Sequence, residues 1–124
     1  MKEPAICENH LFSKAFSGGR KHVAKNVVVY VLKDKAAYRI AKERRDGDKV
    51  NRLGISVRKN VGGAVQRNRA KRVIRAAYRK CVAGGQIKKG NLIVIVARPR
   101  IVMANSNEIA GEIEKAFMEL GLLL

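Results

Sequence analysis

Two six-residue runs constrain this chain more than anything else in it: VVVYVL at residues 27–32 and LIVIVA at residues 92–97. Both are rich in β-branched residues and too short for a buried helix. Both also fall far short of the roughly 18 residues a membrane span needs, so each reads as a buried strand. A further strand is expected over residues 52–58, where Leu53, Ile55 and Val57 alternate with polar or small residues. One face of that strand is apolar, and the other is basic at its ends.

Helices fill the intervals. Phe12 and Phe16 stand four residues apart and share a face, which predicts a short helix over residues 10–17, ended by Gly18-Gly19. Residues 64–81 form a longer periodic segment, preceded by Gly62-Gly63 and closed by Gly84-Gly85. Asn105-Ser106-Asn107-Glu108 has the form of a capping box, and Ile109, Ile113, Ala116, Phe117 and Leu120 follow at helical spacing up to Gly121. Residues 34–51 are charged and contain Asp46-Gly47, so a loop or hairpin is expected there. The reading is an α+β chain in one domain over residues 1–124, a two-layer sandwich in the order α-β-β-(β)-α-β-α.

Charge narrows the function. The formal net charge is +17, and self-repulsion of that size makes a polyanionic partner the expected reason for it. An anionic membrane surface is the weaker alternative. No carboxylate occurs between Lys49 and Asn107, and fifteen cations do: Lys49, Arg52, Arg58, Lys59, Arg67, Arg69, Lys71, Arg72, Arg75, Arg79, Lys80, Lys88, Lys89, Arg98 and Arg100. A surface shaped for solubility alone intersperses the two signs; segregation predicts a basic face. Cys7 and Cys81 form no C-x-x-C pair and read as thiols. The first eleven residues carry Glu3 and Glu8 and lack the apolar core of a signal peptide, so a cytoplasmic protein is expected.

The long helix concentrates the signal. At 100° per residue, Ala70, Val73, Ile74, Ala77 and Cys81 fall in one stripe, while Asn68, Lys71, Arg72, Arg75 and Arg79 lie opposite, with Arg69 and Lys80 flanking. Like charges one turn apart destabilise an isolated helix, so an external polyanion is their expected relief. The planar arginine fork suits phosphate. Phe12, Phe16 and Tyr30 fit either base stacking or ordinary core packing; pattern alone leans towards core. His10 and His22 have no ligand-like spacing and read as surface residues. Carboxylate pairs, serine–histidine arrangements and metal-ligand clusters are not evident, so binding is expected from the protein rather than catalysis. A helix-turn-helix protein would need a second helix where residues 54–59 read as strand, and a self-sufficient nuclease would need acidic metal ligands among the cations.

The run from Gly54 to Arg75, GISVRKNVGGAVQRNRAKRVIR, closely resembles the signature of the bacterial ribonuclease P protein component. In that family a strand ending in a basic residue passes through a glycine into a helix bearing R-N-R-x-K-R-x-x-R, matched here by Arg67, Asn68, Arg69, Lys71, Arg72 and Arg75. Its ordered arginine helix argues against the alternative of a ribosomal or other structural RNA-binding protein. The resemblance implies a mixed sheet with the arginine-rich helix in a βαβ crossover of unusual left hand. It implies binding of the catalytic RNA through Arg58, Lys59, Asn60, Gly62, the helix positions just named and Arg79. It also implies a cleft for the 5′ leader of precursor tRNA at Phe12, Phe16, Tyr30, Ser56 and Arg58, which reverses the lean towards pure core. Mg2+ would act mainly at the RNA active site, and a 1:1 protein–RNA complex without a membrane is implied. Residues 34–51 are longer and more charged than the family pattern.

Overall fold

The computed structural model describes residues 9–43, 50–83 and 87–123. The expected turn at Asp46-Gly47, the Gly84-Gly85 break and Cys7 lie outside them, as does the side chain of His10. The elements are α1 (Asn9–Gly18), β1 (Arg20–Val23), β2 (Val27–Lys33), α2 (Ala37–Glu43), β3 (Arg52–Ser56), α3 (Ala64–Val82), β4 (Asn91–Ala97) and α4 (Ser106–Glu119), with single 3-10 turns at Lys59–Val61 and Pro99–Met103. The four strands form one mixed sheet in the order β1-β2-β4-β3.

The two apolar runs are antiparallel neighbours at the centre, with Val29 opposite Ile95. Parallel to β4 runs β3, pairing Ile55 with Ile95, and α3 is the crossover between them. Strand alternation then decides the layers. Val27, Val29, Val31, Ile93, Ile95 and Ala97 point to one face and meet α3 and α4 through Ile74, Ala77, Ile109, Ile113 and Phe117 in the main core. Fully burying each large aliphatic side chain there stabilises by about 1.5–3 kcal/mol. Leu92 and Val94 point to the reverse face, where Ala15 of α1 joins them in a smaller cluster.

Gly19 is what lets α1 sit so low on that reverse face. A Cβ there would lie 2.6 Å from the Ala15 carbonyl oxygen and 3.1 Å from that of Val31, so any side chain would force helix and strand apart.

Three details depart from expectation. The third strand before α3 is not an optional strand placed after residues 27–32 but β1, ahead of Val27, where no strand was expected. Its sequence RKHV is largely exposed and lacks apolar alternation, so pairing with β2 makes it a strand rather than its own pattern. Residues 37–43 are helical where a loop or hairpin was expected. Their Ala, Arg, Lys and Glu content favours helix, and the Asp34 carboxylate accepts the Ala36 N–H at 2.9 Å just before it. Tyr78 joins the core, 2% exposed, and meets Phe117 edge-on at 6.3 Å. It lies just outside the stripe read from α3, on the side where α4 packs. One half of the expected capping box is present, the Asn105 side chain accepting from the Glu108 N–H at 2.9 Å.

Candidate nucleic-acid interface

Register maps the reverse face of the sheet, because directly paired residues point the same way. One row runs Val23, Val28, Val96, Ser56; the next runs Lys21, Tyr30, Val94, Gly54; a third holds Leu32, Leu92 and Arg52. The cover of α1 is incomplete. Phe12 and Tyr30 are partly buried against the small cluster, while Phe16 remains 37% exposed. Phe16 stands edge-on to Tyr30 with ring centroids 5.1 Å apart and tilted to Phe12 at 6.4 Å. These aromatics anchor α1, and Phe16 stays partly exposed beside a half-buried apolar floor.

The row through Ser56 ends where β3 ends, and the chain turns there into its most basic segment. Arg58, Lys59 and Asn60 are exposed. The 3-10 turn over Lys59–Val61 closes with the Gly62 N–H donating to the Lys59 carbonyl at 3.1 Å. Gly62 has φ of +144°, and a Cβ there would meet the Gln66 side chain at 3.0 Å, so this turn into α3 requires glycine. With Gly63 extended at the N-cap, α3 begins with no acidic residue in its first turn, and its first N–H groups have no partner within the helix.

Along α3, Asn68, Arg72, Arg75 and Arg79 are exposed, as the helical wheel predicts. Lys71 is half-buried at the margin of that face. Arg69 is turned away from it: its Nη2 donates to the Ala104 carbonyl at 3.0 Å and fastens α3 to the turn over Pro99–Met103. Lys80, on the same flank, donates to the Ser106 hydroxyl at 3.1 Å. Arg67 is partly buried near the start of the helix, and among the described residues its Nε is a donor without an acceptor.

One cation of the carboxylate-free stretch is neutralised from outside it. Arg52 is buried and its guanidinium is gripped by Asp34, Nε to Oδ2 at 2.7 Å and Nη2 to Oδ1 at 2.9 Å. Sequence reasoning counted Arg52 with the basic face and missed this pair, since Asp34 precedes the carboxylate-free window. The signal available was a lone Asp directly after a buried strand, and it does not name its partner.

Cys81, half-buried, donates its thiol to the Ala110 carbonyl at 3.2 Å and is free of any disulfide. Burial, helped by the nearby Glu114 carboxylate, pushes its pKa up to about 11. His22, read as a surface residue, is partly buried at the β1–β2 end of the sheet. Among the described residues no group of three or more His, Cys, Asp or Glu side chains could hold a metal ion. No helix among the described residues is long and apolar enough to cross a membrane.

An α+β sandwich with an arginine-rich crossover helix, a glycine-bearing basic turn and a partly covered aromatic patch has the make-up of an RNA-binding protein. Residues 1–121 match the family model described as Ribonuclease P. The chain is 34% identical over 124 residues to the ribonuclease P protein component of Clostridium acetobutylicum, covering 100% of this chain and 94% of that one. It is 39% identical over 87 residues to the same component of Clostridioides difficile, covering 70% and 65%. The solved Staphylococcus aureus RNase P protein has a TM-score of 0.74 at 27% identity over 99% of this chain and 100% of that one. The Thermotoga maritima RNase P protein shares the fold, with a TM-score of 0.62 at 24% identity over 94% and 93%. This chain belongs to the bacterial ribonuclease P protein component family, and its place is in a ribonuclease P system beside an RNA subunit.

Proposed function

We propose that this protein, acting as one domain, holds the catalytic RNA of ribonuclease P on α3 and the turn before it. In the same complex it holds the single-stranded 5′ leader of precursor tRNA in the cleft under α1. The observation that carries this reading is that the open row of the sheet ends at Ser56, two residues before the exposed Arg58 that begins the basic turn into α3. One segment thus links an apolar floor with aromatic edges to a phosphate-binding helix.

The division of labour follows from the side chains. Phe16 and Tyr30 offer π-faces and edges to unpaired bases, with Phe12 behind them. Ser56 and Arg58 can reach the backbone of the same strand. Asn68, Lys71, Arg72, Arg75 and Arg79 present donors to phosphates of the RNA subunit, with Lys59, Asn60 and the Gly62 backbone at the helix start. Arg67 supplies a buried Nε–H that a phosphate oxygen would satisfy, whereas Arg69 positions α3 through Ala104. Mg2+ held by the RNA subunit would supply neutralisation of phosphate charge and activation of water at the RNA active site. The protein's contribution is to hold substrate and RNA in register, as a 1:1 complex in the cytoplasm, so that the leader is removed and the mature 5′ end is left.

Reconstitution tests this. Rigorously RNA-free protein should not cleave precursor tRNA, and adding the RNA subunit with Mg2+ should give mature 5′ ends at low and moderate salt. In that holoenzyme Phe16→Leu should weaken leader-bearing substrate by roughly 1–3 kcal/mol, the range for one lost base stack. Mature tRNA should bind nearly as before. Equal losses for both ligands would reduce the aromatics to core, and cleavage by protein alone would overturn the whole reading.

A further inference from the structure

A cavity of about 410 Å³ opens between the β1–β2 turn, the chain just after β4 and α4. Its walls include His22, Val23, Lys25, Arg98, Glu112 and Lys115. None of these belongs to the arginine face of α3, and of them only Val23 also stands on the sheet face that carries Tyr30.

Hydrogen bonds tie the walls of this open hollow to one another. The Asn26 backbone N–H donates to Glu112 Oε1 at 2.7 Å, and Asn26 Nδ2 donates to Oε2 at 2.6 Å. The Arg98 backbone N–H donates to the Asn26 carbonyl at 2.9 Å, and Arg98 Nη1 to that of Ala24 at 2.7 Å. The carboxylate in the wall therefore has both oxygens committed to the turn, where it locks the frame. Lys25 and Lys115 are exposed in its walls, with no carboxylate among the described residues bonded to them, and Arg98 is held by its bond to the Ala24 carbonyl. Three cations against one engaged carboxylate make a preformed anion-attracting hollow.

Its position gives it a ligand. Val23 pairs with Val28 in the outermost row of the open sheet face, and it also lines the cavity. It is 54% exposed. Strand rise and spacing put it roughly 8 Å from Tyr30, two residues along and one strand across. A chain lying on Phe16 and Tyr30 can leave the cleft over Val23 and bring its next phosphates to the lysines. We propose that this hollow is a second anion site, which receives a phosphodiester of the single-stranded leader beyond the nucleotides stacked in the cleft. The proposal rests on the cleft reading above.

Substrate length separates the two. Holoenzyme carrying Lys25→Ala and Lys115→Ala is titrated with precursor tRNAs whose leaders are lengthened one nucleotide at a time. Phe16→Leu holoenzyme is titrated in parallel. Both lysines are exposed and outside the core, and an unchanged melting temperature confirms the fold. Unaltered protein should gain affinity in two steps as the leader grows, and the double variant should lose only the second, by about three- to tenfold. Its salt slope on long leaders should flatten by roughly 0.7 for each phosphate no longer held. Short-leader substrate and the RNA subunit should bind as before. Equal loss at every leader length, loss confined to the RNA subunit, or no loss at all would overturn the site. If Phe16→Leu leaves leader affinity untouched, the cleft reading fails as well. If Phe16→Leu weakens the leader and the lysine variant does not, only the hollow is discarded.

Discussion

Asp34 is one carboxylate in a protein of formal net charge +17, and the structure places it where charge matters most for folding. It is 4% exposed and bonded to Arg52, which is 8% exposed. Truncating one partner of a buried pair leaves the other charge in low dielectric, so Asp34→Ala should cost about 3–5 kcal/mol in chemical denaturation. Adding Arg52→Leu to it should recover part of that loss. A loss under about 1 kcal/mol would show that water reaches the guanidinium freely. Cys81 gives a pH-dependent counterpart. Its thiol is favoured over thiolate in the fold, with a pKa of about 11 against the ordinary value of 9.0. A raised value means the stabilising contribution is complete below the unfolded pKa and is lost as pH climbs from about 9 through about 11. In a Cys7→Ser background, native alkylation should be slow at neutral pH, with its rate inflecting near 11, whereas unfolded protein should inflect near 9. A native inflection near 9 would show that the sulfur is solvated.

On the scale of an element, α3 divides one helix between core and solvent. Ala70, Ile74, Ala77 and Tyr78 are buried, and Arg72, Arg75 and Arg79 face solvent. Replacing Arg72 and Arg75 with Ala leaves the core untouched, adds the residue of highest helix propensity and relieves like-charge repulsion. Stability should hold or rise slightly. Affinity for the RNA subunit should fall, and its log–log salt slope should flatten by something near 0.7–0.9 for each phosphate released. Lys33→Ala, an exposed cation at the far end of β2, is the control for bulk charge. If Lys33→Ala weakens binding as much per charge, α3 is not a specific surface.

For the whole molecule, charge opposes compaction. The Debye length falls from about 10 Å at 0.1 M salt to about 3 Å at 1 M. The melting temperature of the isolated protein should therefore rise by a few degrees as NaCl increases, while its affinity for RNA falls over the same range. A short single-stranded RNA should raise the melting temperature at low salt by mass action. A melting temperature that is flat or decreasing with NaCl would mean that self-repulsion is already relieved within the fold, as it is locally at Asp34 and Arg52.

The central strands, the three longer helices and the basic face were legible in the sequence because each follows from local period or composition. VVVYVL and LIVIVA can do little but pair, and a helix with Ile74 on one side and Arg75 and Arg79 on the other can dock only one way. The resemblance of residues 54–75 added the crossover and its RNA partner. What remained hidden depended on contacts between distant segments. RKHV becomes a strand because β2 offers it an edge. Arg52 leaves the basic face because Asp34 folds over it, and Arg69 becomes a tether because Ala104 presents a carbonyl. The aromatics were ambiguous in sequence because spacing fixes which residues share a face, and only the limited cover of α1 over the sheet decides how much of that face stays open. The hollow beside α4 had no sequence signal, since its walls come from segments that meet only when the sheet closes.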